Sequence, residues 1–424
     1  MTDDNKTNHW HLTCEERFSA PQQMGTLAVD LVVIGGGYTG LSAALTAAQT
    51  GAQVAVIEAR EIGHGGSGRN VGLANAGLWM PPEDINTVLG ADQGAKLSKI
   101  LAEAPARVFG LIEQCGIDCE PVRNGTLHCA HAPVGMKDLE NRYRQMTAIG
   151  APVQLLDQDE ARRRTGSEAV FGALFDPRAG TIQPLAYAKG LARAAKSAGA
   201  QIFENSPATA LRHEGGQWHV ETAQGVIKAK SLLQATNGYL DPIKGYQAPS
   251  TIPVHYFQAA TEPLPAPLRE KILKGQEGCW DSALVMSSWR MDQHGRLIIG
   301  AMGKLGHFAS RIHTSWLRRK LTALYPELAN IRLNGAWHGR IAMTTEHLPK
   351  VLSFGPNALA VFGYSGRGIG PGTLFGAAAA EALIGETFDG LPVEVSPSHS
   401  LPFAGVRGTY YETGATLMHF IKNR

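Results

Sequence analysis

Short apolar runs alternate with segments of helical periodicity over residues 31–57. Leu31–Ile34 is an uninterrupted apolar run, typical of a buried parallel strand. Apolar residues then recur at helical spacing between residues 41 and 48, and Gly51 supplies a stop signal. A second strand follows from Gln53 to Ile57. The pattern predicts a strand, a tight turn, a helix and a second strand in one unit.

A second group of such elements starts near Gly172. Helical spacing over residues 185–198 is followed by a short strand at 200–203 and a hairpin within 218–227. The run from Ser231 to Tyr239 then predicts a buried strand that ends in a tight turn. A second strand could therefore approach the same ligand as the first unit.

The pattern changes after residue 250, where extended segments follow one another without helices between them. Such a run is typical of an antiparallel sheet, which we expect to form a separate substrate domain. The remaining segments predict one helix, a further strand and a closing helix that ends at Gly385. The predicted strands are 254–261, 283–291, 295–301 and 359–362, and the predicted helices are 310–325 and 373–384.

Length and composition indicate a large, well-buried globular enzyme. Charged residues make up 18% of the 424 residues and hydrophobic residues 44%, which suits two domains or one domain with an insertion. We expect a discontinuous nucleotide-binding domain at 28–95, 165–248 and 335–400, a substrate domain at 96–164 and 249–334, an N-terminal arm at 1–27 and a C-terminal extension at 401–424.

The charge balance favours small molecules as partners. The formal net charge is +2 and the chain has no long basic run, so neither a nucleic-acid footprint nor a polybasic membrane footprint is present. No apolar stretch is long enough to span a bilayer, and residues 1–29 lack a signal-peptide core. We therefore expect a cytoplasmic protein without a transmembrane segment.

Five cysteines are few for a chain of this length. Cys115 and Cys119 lie four residues apart, but no second pair follows at zinc-ribbon spacing. Buried free thiols in a reducing compartment are the better interpretation, and we predict no metal site.

The glycine motif between the first strand and helix carries the strongest chemical signal. Gly35 permits the tight turn, Gly37 lets the backbone approach a pyrophosphate, and Gly40 allows close packing of the helix on the strand. Glu58, at the end of the second strand, suits a ribose diol. The competing interpretation is a turn that serves packing alone. However, the strand, the helix and the acidic residue all occur at the positions that a dinucleotide-binding motif requires. The segment predicts a dinucleotide pocket.

Four further segments resemble the D-amino-acid oxidase family of FAD enzymes, in its branch of glycine, sarcosine and gamma-glutamylputrescine oxidases. The resemblance covers roughly residues 28–400, and the order and spacing of the segments match the family. They are Gly65–Asn70, Ala235–Tyr239, Trp337–Arg340 with Thr344 and Pro349, and Gly363–Gly368. The resemblance implies a discontinuous Rossmann-type FAD-binding domain and an antiparallel-sheet substrate domain, an α/β plus antiparallel β fold.

The resemblance also implies which residues hold FAD. Residues 63–70 are nearly free of bulk, as a loop beneath a pyrophosphate requires, and residues 363–372 precede a helix whose positive end would face the flavin. The competing interpretations are a flexible surface loop and a simple capping turn. The expected cofactor-binding residues are Gly35, Gly37, Tyr38, Thr39, Gly40, Glu58, Ser67, Gly68, Arg69, Asn70, Ala208, Thr236, Gly238, Gly366, Arg367, Gly368, Ile369 and Gly370.

We expect FAD to be bound noncovalently, because this chain lacks the cysteine through which some members of the family attach it. Those members attach the cofactor through a cysteine in the C-terminal loop, where this chain has Ser365 and no thiol. His64 stays open as an anchor. The electron acceptor is suggested by a second departure. Sarcosine oxidases use a lysine on a substrate-domain strand to activate oxygen, whereas the comparable residues 296–300 of this chain place an isoleucine there. The electrons could therefore pass to a quinone or a respiratory chain, and oxygen stays open as the acceptor.

Family membership implies hydride transfer from the carbon beside an amine to flavin N5, giving an imine. An amino-acid substrate needs a cation for its carboxylate, and the forked guanidinium of arginine suits this. Arg290 on a substrate-domain strand is the favoured candidate, with Arg69, Arg340 and Arg367 as alternatives. Trp337 and His338 are further candidate catalytic residues, although His338 also suits a core position.

Three aromatic residues are candidates for lining the substrate pocket: Tyr256, Trp289 and Trp337. Two of the three also suit ordinary positions in the hydrophobic core. Residues 70–82 are small and apolar, which favours a compact cyclic or N-alkyl amino acid such as L-pipecolate. The alternatives are a gamma-glutamylputrescine-type polyamine oxidase and a non-catalytic FAD-binding subunit of a larger amine dehydrogenase. A nicotinamide dehydrogenase would lack the second glycine loop.

Overall fold

Nineteen strands and twelve helices make up the part of the chain that the computed structural model describes, residues 8–421. The strands are β1 (Gly25–Ile34), β2 (Val54–Ile57), β3 (Leu73–Ala74), β4 (Thr126–Cys129), β5 (Gln154–Leu156), β6 (Ala173–Asp176), β7 (Gly180–Thr181), β8 (Gln201–Phe203), β9 (Ala210–Glu214), β10 (Gln217–Glu221), β11 (Gly225–Gln234), β12 (Ile252–Thr261), β13 (Gly278–Asp281), β14 (Ser287–Met291), β15 (Leu297–Met302), β16 (Leu333–Met343), β17 (Lys350–Gly355), β18 (Ala358–Phe362) and β19 (Val395–Ser396). The helices are α1 (His9–Thr13), α2 (Tyr38–Gln49), α3 (Pro82–Leu89), α4 (Ala91–Ala102), α5 (Ala104–Cys115), α6 (Pro133–Ala148), α7 (Gln158–Thr165), α8 (Pro184–Ser197), α9 (Ala266–Arg269), α10 (Ser310–Leu324), α11 (Ile369–Gly385) and α12 (Ala404–Ile421).

The first sheet has parallel strands at its centre. Its order is β19-β17-β18-β11-β1-β2-β8, and the hairpin of β9 and β10 pairs with the first half of β11. β18, β11, β1, β2 and β8 pair in parallel. All four residues of β2 and the last four of β1 are buried, as expected for strands covered on both faces. The predicted unit of strand, turn, helix and strand is confirmed.

The second sheet is mainly antiparallel. Its order is β16-β12-β15-β14-β13-β4-β6-β5, and only β13 and β4 pair in parallel within the described part of the chain. The predicted strand at 283–291 is wrong at its start, because β14 begins at Ser287 and a separate strand, β13, precedes it. The predicted fold class, α/β with an antiparallel sheet, is confirmed.

Two large clusters of buried side chains accompany the two sheets. One surrounds the first sheet and includes residues of α2, α4, α5, α8 and α11, while the other lies between the second sheet and α10. The predicted domain boundaries stay predictions, and the two clusters cross those at 96, 165 and 335. Leu97, Leu101 and Val108 belong to the first cluster, whereas β6 and β16 belong to the second sheet. Apolar periodicity shows that a helix is amphipathic but not which sheet it covers.

The start of the described chain is buried rather than extended into solvent. Asn8 and Trp10 are 0% exposed. The Asn8 side-chain amide donates to the Gly68 carbonyl at 2.9 Å, and the Trp10 indole donates to the Asn70 carbonyl at 2.8 Å. Part of the predicted N-terminal arm therefore supports the loop at residues 66–70 from beneath; residues 1–7 lie outside the described range.

The five cysteines are free, and four of them are buried. Within residues 8–421, none of the helices combines the length and the apolar character that a bilayer crossing requires.

We expect Trp10→Ala to lower the free energy of unfolding by about 3–5 kcal/mol, because it removes a fully buried aromatic side chain and its hydrogen bond. The measurement is chemical denaturation followed by far-ultraviolet circular dichroism. Leu12→Ala is the matched control in the same helix, since Leu12 is 70% exposed and should change stability by less than about 0.5 kcal/mol. Equal effects of the two variants would contradict a structural role for the buried segment.

Candidate active site

A cavity of about 1680 Å³ opens at the carboxyl edge of the first sheet. β1, β2 and β11 end there in register, with Ile34 beside both Ile57 and Gln234. Ligands of parallel sheets bind at this edge. The volume exceeds the roughly 300–1,000 Å³ of ordinary small-molecule sites. The cavity therefore has room for a dinucleotide and a second molecule.

The glycine turn after β1 leaves no space for side chains. Gly35 has a φ of +114°, and a Cβ there would lie 3.0 Å from the Ala235 carbonyl carbon. A Cβ at Gly37, the residue before α2, would lie 2.8 Å from Ser67 Oγ. A Cβ at Gly40 would meet the Gly35 oxygen at 2.0 Å. The backbone at all three glycines therefore leaves no room for a Cβ, and the approach of Gly37 to a pyrophosphate stays a prediction.

Glu58 lines the cavity next to the glycine turn. Its Oε2 accepts from the Gly36 amide at 2.8 Å and its Oε1 accepts from the Arg60 amide at 3.0 Å. Burial raises the pKa of Glu58, and these two hydrogen bonds offset part of that shift. A carboxylate offers about four acceptor positions, so acceptor capacity remains for a diol.

The loop at residues 64–70 is anchored on both sides. Ser67 Oγ accepts from the Tyr38 amide at 3.1 Å, and the Asn70 side chain donates to Tyr38 Oη at 3.0 Å. The Arg69 carbonyl accepts from Gln258 Nε2 at 2.6 Å and from Trp337 Nε1 at 3.3 Å, which joins the loop to the second sheet. These contacts disfavour the alternative of a flexible surface loop.

The C-terminal glycine loop, residues 363–372, reaches the same cavity. Asn237 Oδ1 accepts from the Gly363 amide at 2.9 Å, and Thr39 Oγ1 lies 2.7 Å from Tyr364 Oη. α11 begins at Ile369, so the predicted helix start at 373 is wrong by four residues. Gly370 and Gly372 have low helix propensity, but the close packing of α11 on α2 keeps them helical. Two helix N-termini thus face one cavity.

Most of the predicted cofactor residues line this cavity. Gly40, Gly68, Gly238 and Gly370 do not, because they serve packing: a Cβ at Gly68 or Gly370 would lie 2.3 Å from the Gly63 oxygen or 2.7 Å from Ala104 Cβ. Those that do line it are Gly35, Gly37, Tyr38, Thr39, Glu58, Ser67, Arg69, Asn70, Ala208, Thr236, Gly366, Arg367, Gly368 and Ile369. The cradle, the acid and the two helix ends together fit a flavin dinucleotide.

Arg290 does not face the cavity, which corrects the prediction that it clamps a substrate. Its side chain is only 1% exposed beneath the loop at 70–73. The guanidinium donates to the Ile182 carbonyl, lies 3.9 Å from a Glu120 carboxylate oxygen and stacks over Trp10 at 5.5 Å. Burial lowers its pKa. Arg290 does lie on a strand of the second sheet, as predicted, but the residues that cover it come from distant parts of the chain.

Arg367 lines the cavity where Trp280 and His128 also line it. Its guanidinium stacks over Trp280 at 4.9 Å and donates to the Ala76 carbonyl at 3.1 Å. Burial and the neighbouring Arg142 lower the pKa of Arg367. His128 stacks on Trp280 at 5.0 Å, and burial with both arginines holds the pKa of His128 well below its usual range. This end of the cavity therefore carries guanidinium charge beside a neutral imidazole.

The other predicted arginines have defined surroundings. Arg69 is buried, lines the cavity and donates from Nε to the His64 carbonyl at 2.8 Å. Arg340 is exposed at the cavity edge and stacks over Tyr239 at 5.1 Å. Arg340 thus stacks on an aromatic ring as Arg367 does, but it is exposed, whereas Arg69 is held by the backbone of its own loop.

Two of the three aromatic candidates are core residues. Trp289 is 0% exposed and donates to Tyr325 Oη at 3.1 Å, and Trp337 packs edge-on against Trp10 at 5.9 Å. Trp337 is therefore corrected from a catalytic candidate to a support for the Arg69 loop. Tyr256 lines the cavity, with its Oη 2.7 Å from Ser288 Oγ. His338 also lines it, with its ring 5.8 Å from that of His255.

Sequence reasoning missed several residues that line the cavity. Arg142, His128 and Trp280 come from α6, β4 and β13, and no spacing in the sequence connects them. α12 also contributes side chains, including Tyr411 and Met418, although residues 401–424 were expected to be an extension. Only the packing of α12 on β12 and α10 reveals that role.

Comparisons with known proteins agree with this geometry. Residues 30–382 match the family model DAO, described as FAD dependent oxidoreductase. A "Probable oxidoreductase OrdL" of Rhizobium meliloti is 32% identical over 89% of this chain and 88% of its own. The gamma-glutamylputrescine oxidoreductase of Escherichia coli is 29% identical over 91% and 92%. The crystal structure of glycine oxidase from Geobacillus kaustophilus superposes with a TM-score of 0.72 at 22% identity, covering 89% of this chain and 98% of that chain.

We predict that Gly37→Val abolishes FAD retention, since its side chain would occupy the space beside Ser67 Oγ where the backbone must meet a pyrophosphate. Flavin content of the purified soluble protein, read from its visible absorbance, is the measurement. Gly110→Val is the control, because no atom lies within 4 Å of a Cβ at Gly110. Normal flavin content in Gly37→Val would refute the cradle.

Glu58→Gln should weaken FAD binding without unfolding the protein. The amide group of glutamine would point an N–H at the Gly36 or Arg60 amide and remove a charge-assisted ribose contact, worth about 1.5–3 kcal/mol. Because the pKa of Glu58 is raised, wild-type affinity should fall on acidification at a higher pH than for an ordinary carboxylate. Titration of apoprotein with FAD across pH measures both effects. An identical pH profile in the variant would exclude Glu58 as the titrating group.

Proposed function

This chain belongs to the DAO family of FAD-dependent oxidoreductases, and we propose that it oxidises a small amino acid whose carboxylate pairs with Arg367. The amino group is secondary or lies in a ring, as in L-pipecolate. FAD is bound noncovalently by the residues of the two glycine loops. The bond oxidised is the C–N bond beside the carboxylate.

The observation that supports a carboxylate is the unpaired charge of Arg367. Within residues 8–421 this guanidinium makes no ion pair, and its recorded contacts are a carbonyl and an aromatic face. Arg367 is half-buried, and Asp176, the carboxylate whose charge acts on it, is already paired with Arg178 at 2.7 Å. A half-buried cation that has no ion pair of its own favours a ligand that brings a carboxylate. A bound carboxylate would neutralise it and accept two parallel hydrogen bonds from its fork.

The neighbouring cations are already engaged. Arg142 Nε donates to Asp138 Oδ2 at 2.7 Å, and its Nη1 donates to the Trp79 carbonyl. Arg290 is covered by protein, as described above. Arg142 would therefore add positive potential near the carboxylate, while Arg367 supplies the direct contact.

Apolar surfaces beside Arg367 support a compact ring as substrate. Leu73, Trp79, Trp280 and Ile369 all line the cavity. Such surfaces stabilise methylene groups by contact and exclude water. A polyamine chain would require polar partners along its length. The apolar character of residues 70–82 supports the same preference.

Bound FAD would supply the acceptor of a hydride from the carbon beside the amine, with an imine as product. The chain's own task is positioning. Arg367 would orient the carboxylate, and Trp280 would hold the ring by contact. His128 stays neutral and therefore does not compete for the carboxylate. No side chain needs to act as a nucleophile.

The electron acceptor is proposed to be a quinone or respiratory carrier, with oxygen as the alternative. Ile298 and Ile299 of β15 are both fully buried, in the clusters on opposite sides of the second sheet. Neither isoleucine provides a cation that could activate oxygen, which is the role of the lysine at the comparable position in sarcosine oxidases. A stable reduced form in air would support this choice.

A gamma-glutamylputrescine-type substrate is the second candidate. It is favoured by the similarity to the Escherichia coli enzyme and by the large cavity. A non-catalytic FAD-binding subunit is the third, since the chain also resembles the beta subunit of sarcosine oxidase. Anaerobic bleaching of the flavin by any added amine would exclude the third.

The decisive experiment compares Arg367→Met with wild type, using L-pipecolate and its decarboxylated analogue piperidine in anaerobic stopped-flow reduction of the flavin. Losing one partner of a desolvated charge pair costs about 2–5 kcal/mol, so the second-order rate constant for pipecolate should fall roughly thirtyfold or more. The rate for piperidine and the flavin content should stay unchanged. Arg332→Met is the control, because Arg332 is exposed and outside the cavity.

Three outcomes would contradict parts of this proposal. Equal rates with pipecolate and piperidine in wild type would exclude a carboxylate clamp. Equal losses on both amines in Arg367→Met would make Arg367 a structural residue. Faster reduction by gamma-glutamylputrescine than by pipecolate would favour the second candidate.

A further inference from the structure

Three metal-ligating side chains meet outside the FAD and substrate regions, where the second sheet is covered by helices. His307 precedes α10, His313 lies in the first turn of α10, and Glu412 lies in α12. One ligand atom from each lies within 4.8 Å of the others. The prediction of no metal site rested on cysteine spacing and did not consider these residues, of which Glu412 follows His313 by 99 positions and His307 by 105.

The distances suit a tetrahedral cation. Glu412 Oε1 lies 2.9 Å from His313 Nε2 and 3.3 Å from His307 Nε2. Ligands bound at about 2.0–2.2 Å in tetrahedral geometry are separated by roughly 3.3–3.5 Å. Small side-chain shifts would therefore bring three donors around one ion.

An unsatisfied atom points into this cluster. His307 Nε2 is buried and lies 3.3 Å from Glu412 Oε1 without forming a hydrogen bond within the described residues. Its Nδ1 lies 3.4 Å from the Ala309 amide, a long contact. A bound ion would select the tautomer of His307 that carries its proton on Nδ1, which gives up this contact and leaves the Nε2 lone pair for the ion.

His419 supports the ligand role of His313. His313 Nδ1 lies 2.8 Å from His419 Nδ1, while His313 Nε2 faces Glu412. If Nδ1 carries the proton that is donated to His419, the Nε2 lone pair is free for a cation, the arrangement that orients histidine ligands in metalloproteins. The His419 ring is held by stacking on Trp316 at 4.1 Å.

We propose that His307, His313 and Glu412 bind a divalent cation of the zinc class, which fastens α12 to α10. Two imidazoles and one carboxylate suit zinc, and water would fill the fourth position. The ion is structural and takes no part in the oxidation.

The position of α12 gives the ion a consequence for the cavity. Tyr411, which adjoins Glu412 in the sequence, and Ala415 and Met418 all line the cavity. An ion bound to Glu412 would hold these residues in place against the cavity. Removing the ion would loosen α12.

Isothermal titration of the holoenzyme with zinc chloride, after dialysis against a chelator, tests the proposal. We expect one zinc ion to bind per chain. In His307→Gln and in Glu412→Gln the affinity for zinc should fall at least about a hundredfold, since changing a residue that only hydrogen-bonds to a metal ligand already costs roughly 10–100-fold. His294→Gln, an exposed histidine elsewhere in the second sheet's loops, should bind as wild type. These two ligand variants avoid the fully buried His313, and unchanged flavin content verifies their folding.

Limited trypsin cleavage at the exposed Arg407 of α12 provides a second readout. Zinc should slow cleavage at least tenfold in wild type and leave the rate unchanged in both ligand variants. Absence of saturable binding would overturn the proposal. Equal zinc affinity in wild type and the ligand variants would overturn it as well, since the ion would then occupy another site.

Discussion

The close crossing of α2 and α11 is the constraint on which the active site depends. A Cβ at Gly376 would lie 2.2 Å from the Thr39 carbonyl oxygen, so only glycine permits this approach. The crossing brings the N-termini of both helices to the same edge of the first sheet. The hydrogen bond between Thr39 and Tyr364 then links the two glycine loops. Two positive helix ends meet in one cavity, which suits a phosphate at one and a reduced flavin at the other.

A second coupling joins the FAD-binding part to the substrate part. The loop that carries Arg69 receives hydrogen bonds from Trp10 beneath it and from Gln258 and Trp337 in its surroundings. The buried N-terminal segment, the loop and the second sheet therefore form one packed unit. A change in any of them would alter the floor of the cavity, since packed interiors transmit small displacements.

The two arginines Arg290 and Arg367 show how surroundings decide the role of one residue type. Arg290 is covered by residues 70–73 and Trp10 and compensated by nearby Glu120, so it supports the interior. Arg367 has an aromatic face and one carbonyl as recorded partners and opens into the cavity. A guanidinium left without a carboxylate inside the protein is available to a ligand that brings one.

The sequence by itself determined the local units, since their signals are short in range. Apolar runs, helical spacing and the steric demands of glycine located β1, α2, the turn at Gly35 and the position of Glu58 directly after β2. Tertiary structure decided everything that depends on distant segments meeting. It turned Arg290 inward, left Arg367 lining the cavity, packed α4 and α5 with the first sheet, and brought α12 against the cavity. Periodicity records that a face is apolar, whereas the partner of that face is chosen only by packing.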